Sequence, residues 1–196
     1  MLQHARPALV MMVLFTLVLG LGYPLAMTGL AGVIFPSQAG GSLIKDTSGQ
    51  VIGSALIAQG FAKPEYLHPR PSAAGNGYDP MASGGSNLGP LDQKLIDQVK
   101  TGAAAIRKDD GPGAIPADAV TNSGSGLDPD VSPENAHLQA ARIAKARGRS
   151  VSEVLAIVDN EIQGQVLGFI GQPHVNVLAV NRALDARYPV GHLKAS

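Results

Sequence analysis

The chain has 196 residues with 15 basic and 15 acidic side chains, so its formal net charge is zero. No stretch is basic enough to follow a phosphate backbone, which excludes nucleic acid as an expected partner. With no cysteine the chain forms neither disulfides nor thiolate metal sites, and its 24 glycines and 14 prolines predict a domain rich in turns.

The first predicted element is an apolar segment near the amino terminus. Residues 8–35 contain no Asp, Glu, Lys, Arg or His. As a helix they would run about 42 Å at roughly 1.5 Å per residue, and a bilayer core of about 30 Å needs only about 20 apolar residues. We therefore predict one transmembrane helix over 8–35. The apolar part of a cleaved signal peptide runs only ~7–15 residues, and a buried helix of a soluble domain is rarely so long and uncharged.

Small residues line one face of this segment. Gly22, Ala26 and Gly29 recur at i, i+4 and i+7, which lets another helix approach closely. Pro24 lies between them, and spanning helices tolerate proline when neighbouring groups satisfy the freed carbonyl. We expect this face to contact a partner helix; the alternative is that it meets lipid without a specific partner.

The few basic residues that flank the segment predict its orientation. His4 and Arg6 precede it without any acidic residue, and the first basic residue after it is Lys45. Because basic flanks tend to stay on the cytoplasmic side, we expect residues 1–7 in the cytoplasm and residues 36–196 in the periplasm. The chain is then predicted to be a single-pass protein of the inner membrane.

The part after the span begins with a predicted hairpin and continues into loops. Short apolar runs at 42–44 and 51–57 flank a turn that contains Gly49. Four prolines within residues 64–80 exclude a central strand or a helix there. Residues 72–90 are rich in glycine and show no regular period. We expect an ordered loop that packs on the domain through its larger apolar residues, Tyr78, Met81 and Leu88.

Helices and short strands are predicted for the remainder. Residues 91–108 carry apolar side chains every three or four positions, with Asp92 as the cap. Residues 119–121 and 165–170 are predicted as short strands, and residues 175–188 begin extended and end in a helix. Together these patterns predict a mixed α/β domain, of the α+β type, behind a single span.

Two further helices are marked by capping signals. Ser132 precedes a proline and is predicted to cap a helix that stops at Gly148. Ser150 and Glu153 form a capping box at the start of the next helix. These local signals do not depend on the rest of the fold.

Motifs of familiar chemistry are absent from the sequence. There is no Gly-x4-Gly-Lys-Ser/Thr phosphate loop. No two of the five histidines stand at i, i+4, so we expect no metal site. A hydrolase triad of a loop serine with His68 and Asp128 lacks a Gly-x-Ser-x-Gly elbow. The two candidate serines are Ser83 and Ser123, and loop capping explains both.

Two polar, glycine-rich segments remain: residues 70–90, called here the first polar loop, and residues 120–135, called the second polar loop. The first contains RPSAA, YDP and ASGGSNLGP, and the second contains VTNSGSGLDPDVSPEN. Together with FPSQAGGSLI, GSALIAQGF, RIAKARG and GQPHVNVLAVNRALD, they closely resemble the C subunits of the bacterial Kdp potassium-transporting ATPases. The resemblance covers nearly the whole chain. It departs at His68-Pro69, where a glycine is expected, and at Asn122, where alanine is expected.

This resemblance implies a role that the residues alone do not give. Such subunits are accessory parts of a four-part membrane complex. The implied partners are a channel-like potassium-binding subunit, a P-type ATPase subunit and a small single-span subunit. The implied functions are assembly, stability and action as a catalytic chaperone that raises the ATP affinity of the ATPase subunit, without catalytic residues in this chain. The family's Ser-Gly-Gly stretch makes Ser83, Gly84 and Gly85 the nucleotide candidates.

The predicted orientation conflicts with direct nucleotide contact, because a periplasmic domain does not meet cytoplasmic ATP. We therefore expect no directly bound cofactor, with ATP and potassium handled by the complex. An effect on ATP affinity would then be a coupling free energy of typically ~1–3 kcal/mol, transmitted through the span. The alternative from another class is a stand-alone, membrane-anchored periplasmic binding protein or hydrolase.

We expect the two polar loops to form the main soluble interface or to brace each other beneath it. An alternative role for Asp79 and Asp128 is to attract cations toward an entry site by long-range electrostatics. The candidate interface residues of the loops are Arg70, Tyr78, Asp79, Asn87, Ser123, Ser125 and Asp128.

Overall fold

A computed structural model of the chain describes residues 2–189. The chain divides into two compact units after Leu43. The first unit is helical: α1 (Leu2–Phe15), a π-helical segment (Thr16–Gly22), α2 (Tyr23–Ile34) and the short α3 (Pro36–Ala39). From His4 to Ile34 these run as 31 helical residues, and within residues 2–189 this is the one helix long and apolar enough to cross a membrane. The predicted amino-terminal apolar helix is thus confirmed.

The π-helical segment lies directly before Pro24. Tyr23 donates its N–H to the carbonyl oxygen of Val18, five residues back, instead of the four of an α-helix. In a regular α-helix the ring of Pro24 would clash with the carbonyl of Gly20. Because proline has no N–H, that carbonyl would also lose its hydrogen bond. The seven-residue π-helical segment is the local widening of the helix that accommodates the proline.

The second unit contains a hairpin and a small sheet. The hairpin joins β1 (Leu43–Lys45) to β2 (Val51–Ser54). Gly49 has φ +85° in its turn, and the Asp46 carboxylate accepts hydrogen bonds from Ser48 and Gln50. The sheet has the antiparallel order β3 (Asp130–Val131), β5 (His174–Asn176), β4 (Ile162–Gln163), with β5 in the centre.

Five helices complete the second unit: α4 (Gln93–Asp109), α5 (Ala117–Val120), α6 (Pro133–Arg147), α7 (Val151–Asn160) and α8 (Val177–Arg187). The predicted caps are confirmed. Asp92 accepts from the N–H of Lys94, Ser132 from Asn135, and both halves of the Ser150–Glu153 capping box are formed. Gly148 ends α6 with φ +62°.

The core lies where α6, α7 and α8 meet the three-stranded sheet. Its buried apolar residues include Val131, Ala140, Ile143, Val154, Val158, Val175, Val180 and Leu184. The extended segment before the first polar loop adds Phe61, Tyr66 and Leu67. Helix α4 contributes no buried residue and packs on α5, where a Cβ on Gly102 would lie 3.4 Å from the Val120 side chain.

Two predicted strands are wrong. Residues 119–121 belong largely to helix α5, which begins after Pro116 and has Asp118 in its first turn; proline and an acid are both favourable at a helix start. Residues 165–170 form a tight turn that contains one isolated bridge, between Val166 and Ile170. Leu167 and Gly168 have positive φ there, which interrupts an extended run.

The predicted packing of two apolar side chains is also wrong. Met81 and Leu91 are each 92% exposed. Asp92 caps α4 with extended backbone, so Leu91 lies outside the helix instead of on its apolar face. The N–H of Met81 donates to the Asp79 carboxylate in a turn, and in that turn the Met81 side chain faces outward.

Candidate functional site

The two polar loops contact each other through direct hydrogen bonds. The N–H of Gly84 and the Oγ of Ser83 both donate to the carbonyl oxygen of Ser125, at 2.8 and 3.0 Å. Ser72 Oγ donates to the carbonyl oxygen of Gly126 at 2.6 Å. The same hydroxyl accepts from the N–H groups of Ala74 and Tyr78. The loops therefore form one connected structure.

Gly126 is the point of closest approach. Its φ is +68°, and a Cβ placed on it would lie 2.7 Å from both the Ala74 nitrogen and the Gly84 oxygen. Both atoms are backbone, so neither is free to swing away. A second approach places a Cβ on Gly85 3.0 Å from the carbonyl oxygen of Gly124. The glycines of the two motifs are thus required by the contact between the loops.

An ion pair also links the two loops. Arg70 Nη1 lies 2.9 Å from Asp128 Oδ2, and Arg70 Nη2 donates to the carbonyl oxygen of Asn122 at 3.2 Å. Both side chains are mostly buried. The Nε–H of Arg70 is buried and has no hydrogen-bond partner among the described residues. Asp128 also accepts from the N–H of Asp130, as expected for a residue that caps its own turn.

Tyr78 anchors the first polar loop. Its hydroxyl donates to the carbonyl oxygen of Arg70 at 2.7 Å, and its backbone has φ +55°. Burial raises the pKa of the Tyr78 hydroxyl to about 12, since the phenolate would lose its hydration. Tyr78 is therefore a neutral hydrogen-bond donor at physiological pH and serves to hold the loop.

The other predicted interface residues divide into buried and exposed groups. Ser123 is buried, with its Oγ 3.5 Å from that of Ser125, and Ser125 Oγ accepts from the N–H of Leu127. Asn87 is exposed with φ +53°, a conformation that asparagine tolerates well. Asp79 Oδ1 accepts from the N–H of Met81. Of this set, Asn87 is the side chain most available to a partner.

Two donors of the Ser-Gly-Gly stretch, the Ser83 hydroxyl and the Gly84 N–H, are engaged within the chain. A phosphate-binding loop needs several N–H groups aimed at one empty position. Here the Ser83 hydroxyl and the Gly84 N–H converge on the Ser125 carbonyl instead. The imagined hydrolase triad is not assembled either: Asp128 pairs with Arg70, and His68 Nε2 lies 3.0 Å from the carbonyl oxygen of Lys63.

An open groove of about 760 Å³ lies beside the second polar loop. Its charged lining residues are Arg70, Asp118, Asp128, Asp130, Glu134 and His174. Most of these carboxylates accept hydrogen bonds from within the chain. Asp118 accepts from the N–H and hydroxyl of Ser132 and from Asn135, and Asp130 accepts from Asn176. Burial raises the pKa of Asp130, an effect partly offset by the Asn176 hydrogen bond. No set of three possible metal ligands occurs within residues 2–189; His192 lies outside them.

Two amide side chains hold the extended segment that leads into the first polar loop. Asn181 accepts from the N–H of Leu67 and donates to its carbonyl, at 2.7 and 2.9 Å. Gln139 does the same for His68, at 2.8 and 3.1 Å. Each amide therefore pairs with the backbone as a neighbouring strand would. This bracing fixes where the first polar loop starts.

Two arginines of α6 complete this support. Arg147 has a fully buried side chain that pairs with Asp185 at 2.8 Å and donates to the carbonyls of Glu65 and Tyr188. Arg142 pairs with Asp110 at 2.8 Å and reaches the carbonyls of Pro64 and Tyr66. These side chains were not predicted from the sequence. The available signal was that Gln139 and Arg147 stand at i−4 and i+4 from the buried Ile143, on the core face of α6.

The small residues of the apolar helix are exposed. Gly22, Ala26 and Gly29 all lie on the surface, and a Cβ on Gly29 would meet nothing within 4 Å. The i, i+4, i+7 spacing is preserved because Gly22 has α-helical φ and ψ and α2 continues from it. Contact of this face with a partner helix stays a prediction.

Comparison with known proteins gives one consistent result. The family model described as "KdpC: K+-transporting ATPase, c chain" matches residues 5–186. A protein of Caulobacter vibrioides named potassium-transporting ATPase KdpC subunit is 65% identical over 189 residues, which is 96% of each chain. Proteins of the same name are 61% identical in Beijerinckia indica, over 97% of each chain, and 54% identical in Rhodospirillum rubrum, over 98% of this chain and all of the other.

Proposed function

The chain belongs to the KdpC family, the c chains of K+-transporting ATPases, and from this premise we propose that it is the non-catalytic assembly subunit of its complex. It holds the complex together and raises the ATP affinity of the ATP-hydrolysing subunit, and it does so indirectly. Its partners are the potassium-binding channel-like subunit, the P-type ATPase subunit and a small single-span subunit.

The observation that carries this proposal is the use of polar groups in the two polar loops. Their hydroxyl groups, N–H groups and the Arg70–Asp128 pair mostly bind each other. A catalytic site keeps reactive groups free and directed at a substrate position. A braced pair of loops instead offers a preorganised surface, which lowers the conformational cost of binding another protein.

The proposed topology supports an indirect effect on ATP affinity. Helix His4–Ile34 anchors the chain, and Arg6 keeps the amino terminus in the cytoplasm. The second unit then lies in the periplasm. A protease added outside spheroplasts is expected to digest the chain after Pro36. Digestion only in inverted vesicles would place the second unit in the cytoplasm and restore direct ATP contact.

A substitution in the Ser-Gly-Gly stretch tests the nucleotide question. A Cβ on Gly84 would meet nothing within 4 Å, so Gly84→Ala leaves the loop contact intact. The added methyl would obstruct a phosphate held against this backbone. We expect the purified complex with Gly84→Ala to keep its KM for ATP in potassium-stimulated hydrolysis. A raised KM with normal assembly would show that the nucleotide touches this loop.

A further inference from the structure

A tight turn between β4 and β5 exposes a group of large apolar side chains. We call residues 166–170 the apolar tip; its large members are Val166, Leu167, Phe169 and Ile170. Leu167 is 79% exposed and Phe169 73%. No charged residue occurs from Ile162 to Pro173. Neither the core nor the two polar loops use this segment.

The backbone of the apolar tip is bonded within itself. Val166 and Ile170 exchange two N–H to carbonyl bonds at 2.9 and 3.0 Å, and the N–H of Phe169 donates to the Val166 carbonyl at 3.3 Å. The Gln165 side chain donates to the carbonyl of Gly171 at 2.9 Å. Backbone groups that enter an apolar medium must be satisfied internally. Four of the five N–H groups of the apolar tip meet that requirement, as do the carbonyls of Val166 and Ile170.

Leu167 is costly where it stands. Its φ is +55°, a conformation that suits glycine, asparagine or aspartate and is uncommon for a bulky side chain. Its side chain gains almost no burial in return. Nothing in the described part of the chain repays either cost, which points to a contact with another molecule.

We propose that the apolar tip dips into the surface of the bilayer that holds the chain's own helix. Residues 35–43 join helix His4–Ile34 to the second unit, so this tether confines the tip near a lipid surface and makes its insertion an intramolecular step. A protein partner normally offers directional polar contacts at about one hydrogen bond per 100–200 Å². The tip presents no charge and few free donors, which suits lipid. The proposal goes beyond the proposed function and holds on either side of the membrane.

The absence of tryptophan from the chain makes the test direct. Phe169→Trp in the full-length chain gives a single tryptophan at the tip, excited selectively over the four tyrosines, and Met81→Trp gives one on an exposed loop elsewhere in the second unit. Each variant is reconstituted alone in vesicles of phosphatidylcholine with ordinary or brominated acyl chains. We expect the Phe169→Trp fluorescence to lose most of its intensity in brominated vesicles and the Met81→Trp fluorescence to stay unchanged.

Combining Leu167→Ser and Ile170→Ser with Phe169→Trp should restore the intensity, because the tip then loses most of its apolar surface. These side chains are exposed, so the fold is expected to survive. Equal Phe169→Trp intensity in both kinds of vesicle would overturn the proposal. So would a blue shift that occurs only when the other subunits are present, since the tip would then bind a protein. Quenching that persists in the serine variants would equally contradict it.

Discussion

Replacing Gly126 by alanine should force the two polar loops apart. The new Cβ would lie 2.7 Å from two backbone atoms of the first polar loop, whereas ordinary contacts lie at about 3.4–4 Å. Relief requires a shift of several tenths of an ångström. That shift lengthens the hydrogen bonds from Ser72, Ser83 and Gly84 to the second polar loop.

The magnitude follows from two costs. A left-handed conformation costs an alanine roughly 1–2 kcal/mol relative to glycine. Overpacking against atoms that cannot swing away typically adds about 1–3 kcal/mol. We therefore expect Gly126→Ala to lower the free energy of unfolding by about 3 kcal/mol, which for a protein of this size corresponds to a fall in Tm of about 6–12 °C.

Gly124→Ala is the matched control. Gly124 lies two residues away, its φ is outside the left-handed region, and its Cβ would meet nothing within 4 Å. The control should change stability by less than about 0.5 kcal/mol. The assay is thermal denaturation of the full-length chain in lipid nanodiscs, followed by circular dichroism. If Gly126→Ala melts together with Gly124→Ala, the contact between the loops is not as close as described.

Three further predictions concern pH, assembly and turnover. Burial, reinforced by Arg142, lowers the pKa of His68 below its ordinary 6.5, so the unfolded chain takes up the proton more readily than the folded one. The stability that His68 contributes is then complete above about pH 6.5 and is lost as the pH falls through its folded pKa. The Tm of His68→Gln should therefore decrease less steeply with falling pH than the Tm of the wild-type chain, and parallel plots of Tm against pH would refute this. Gly22→Leu should loosen the complex without stopping membrane insertion, because leucine adds bulk where helices approach; Ala31→Leu, on the opposite face, is the control, and equal co-purification of both variants would show that the face meets lipid. Asp128→Asn should keep turnover at saturating potassium, since the carboxylate serves to pair Arg70; normal assembly with complete loss of turnover would mean that it takes part in chemistry.

Local signals made much of the fold predictable. Ser132, Gly148 and the Ser150–Glu153 box act within one or two helical turns, so the residues that decide each helix end are adjacent in sequence. The absence of charge over residues 8–35 similarly predicts the apolar helix without reference to anything else. By contrast, the strand predicted at 165–170 failed because an apolar run of that length does not distinguish a strand from an apolar turn.

The candidate site was predictable only in outline. Its residues were recognisable as two glycine-rich segments, but the contact between Gly126 and Gly84 joins positions far apart in the chain. Asn181 and Gln139 pair with the backbone of Leu67 and His68 across still larger separations in sequence, 114 and 71 residues. Such pairings depend on the packing of α6 and α8, which periodicity does not specify. The buried Arg147 belongs to the same category.

Removal of the chain from its complex tests the central claim most directly. Membranes from cells with and without this chain are solubilised, the P-type ATPase subunit is purified, and potassium-stimulated ATP hydrolysis is measured over a range of ATP concentrations. We predict that the chain co-purifies with the ATPase subunit. Without it, the complex should fall apart or show a raised KM for ATP, and the Gly84→Ala chain should restore both properties as well as the wild-type chain does. An intact complex with an unchanged KM in the absence of the chain would contradict its role as the assembly subunit.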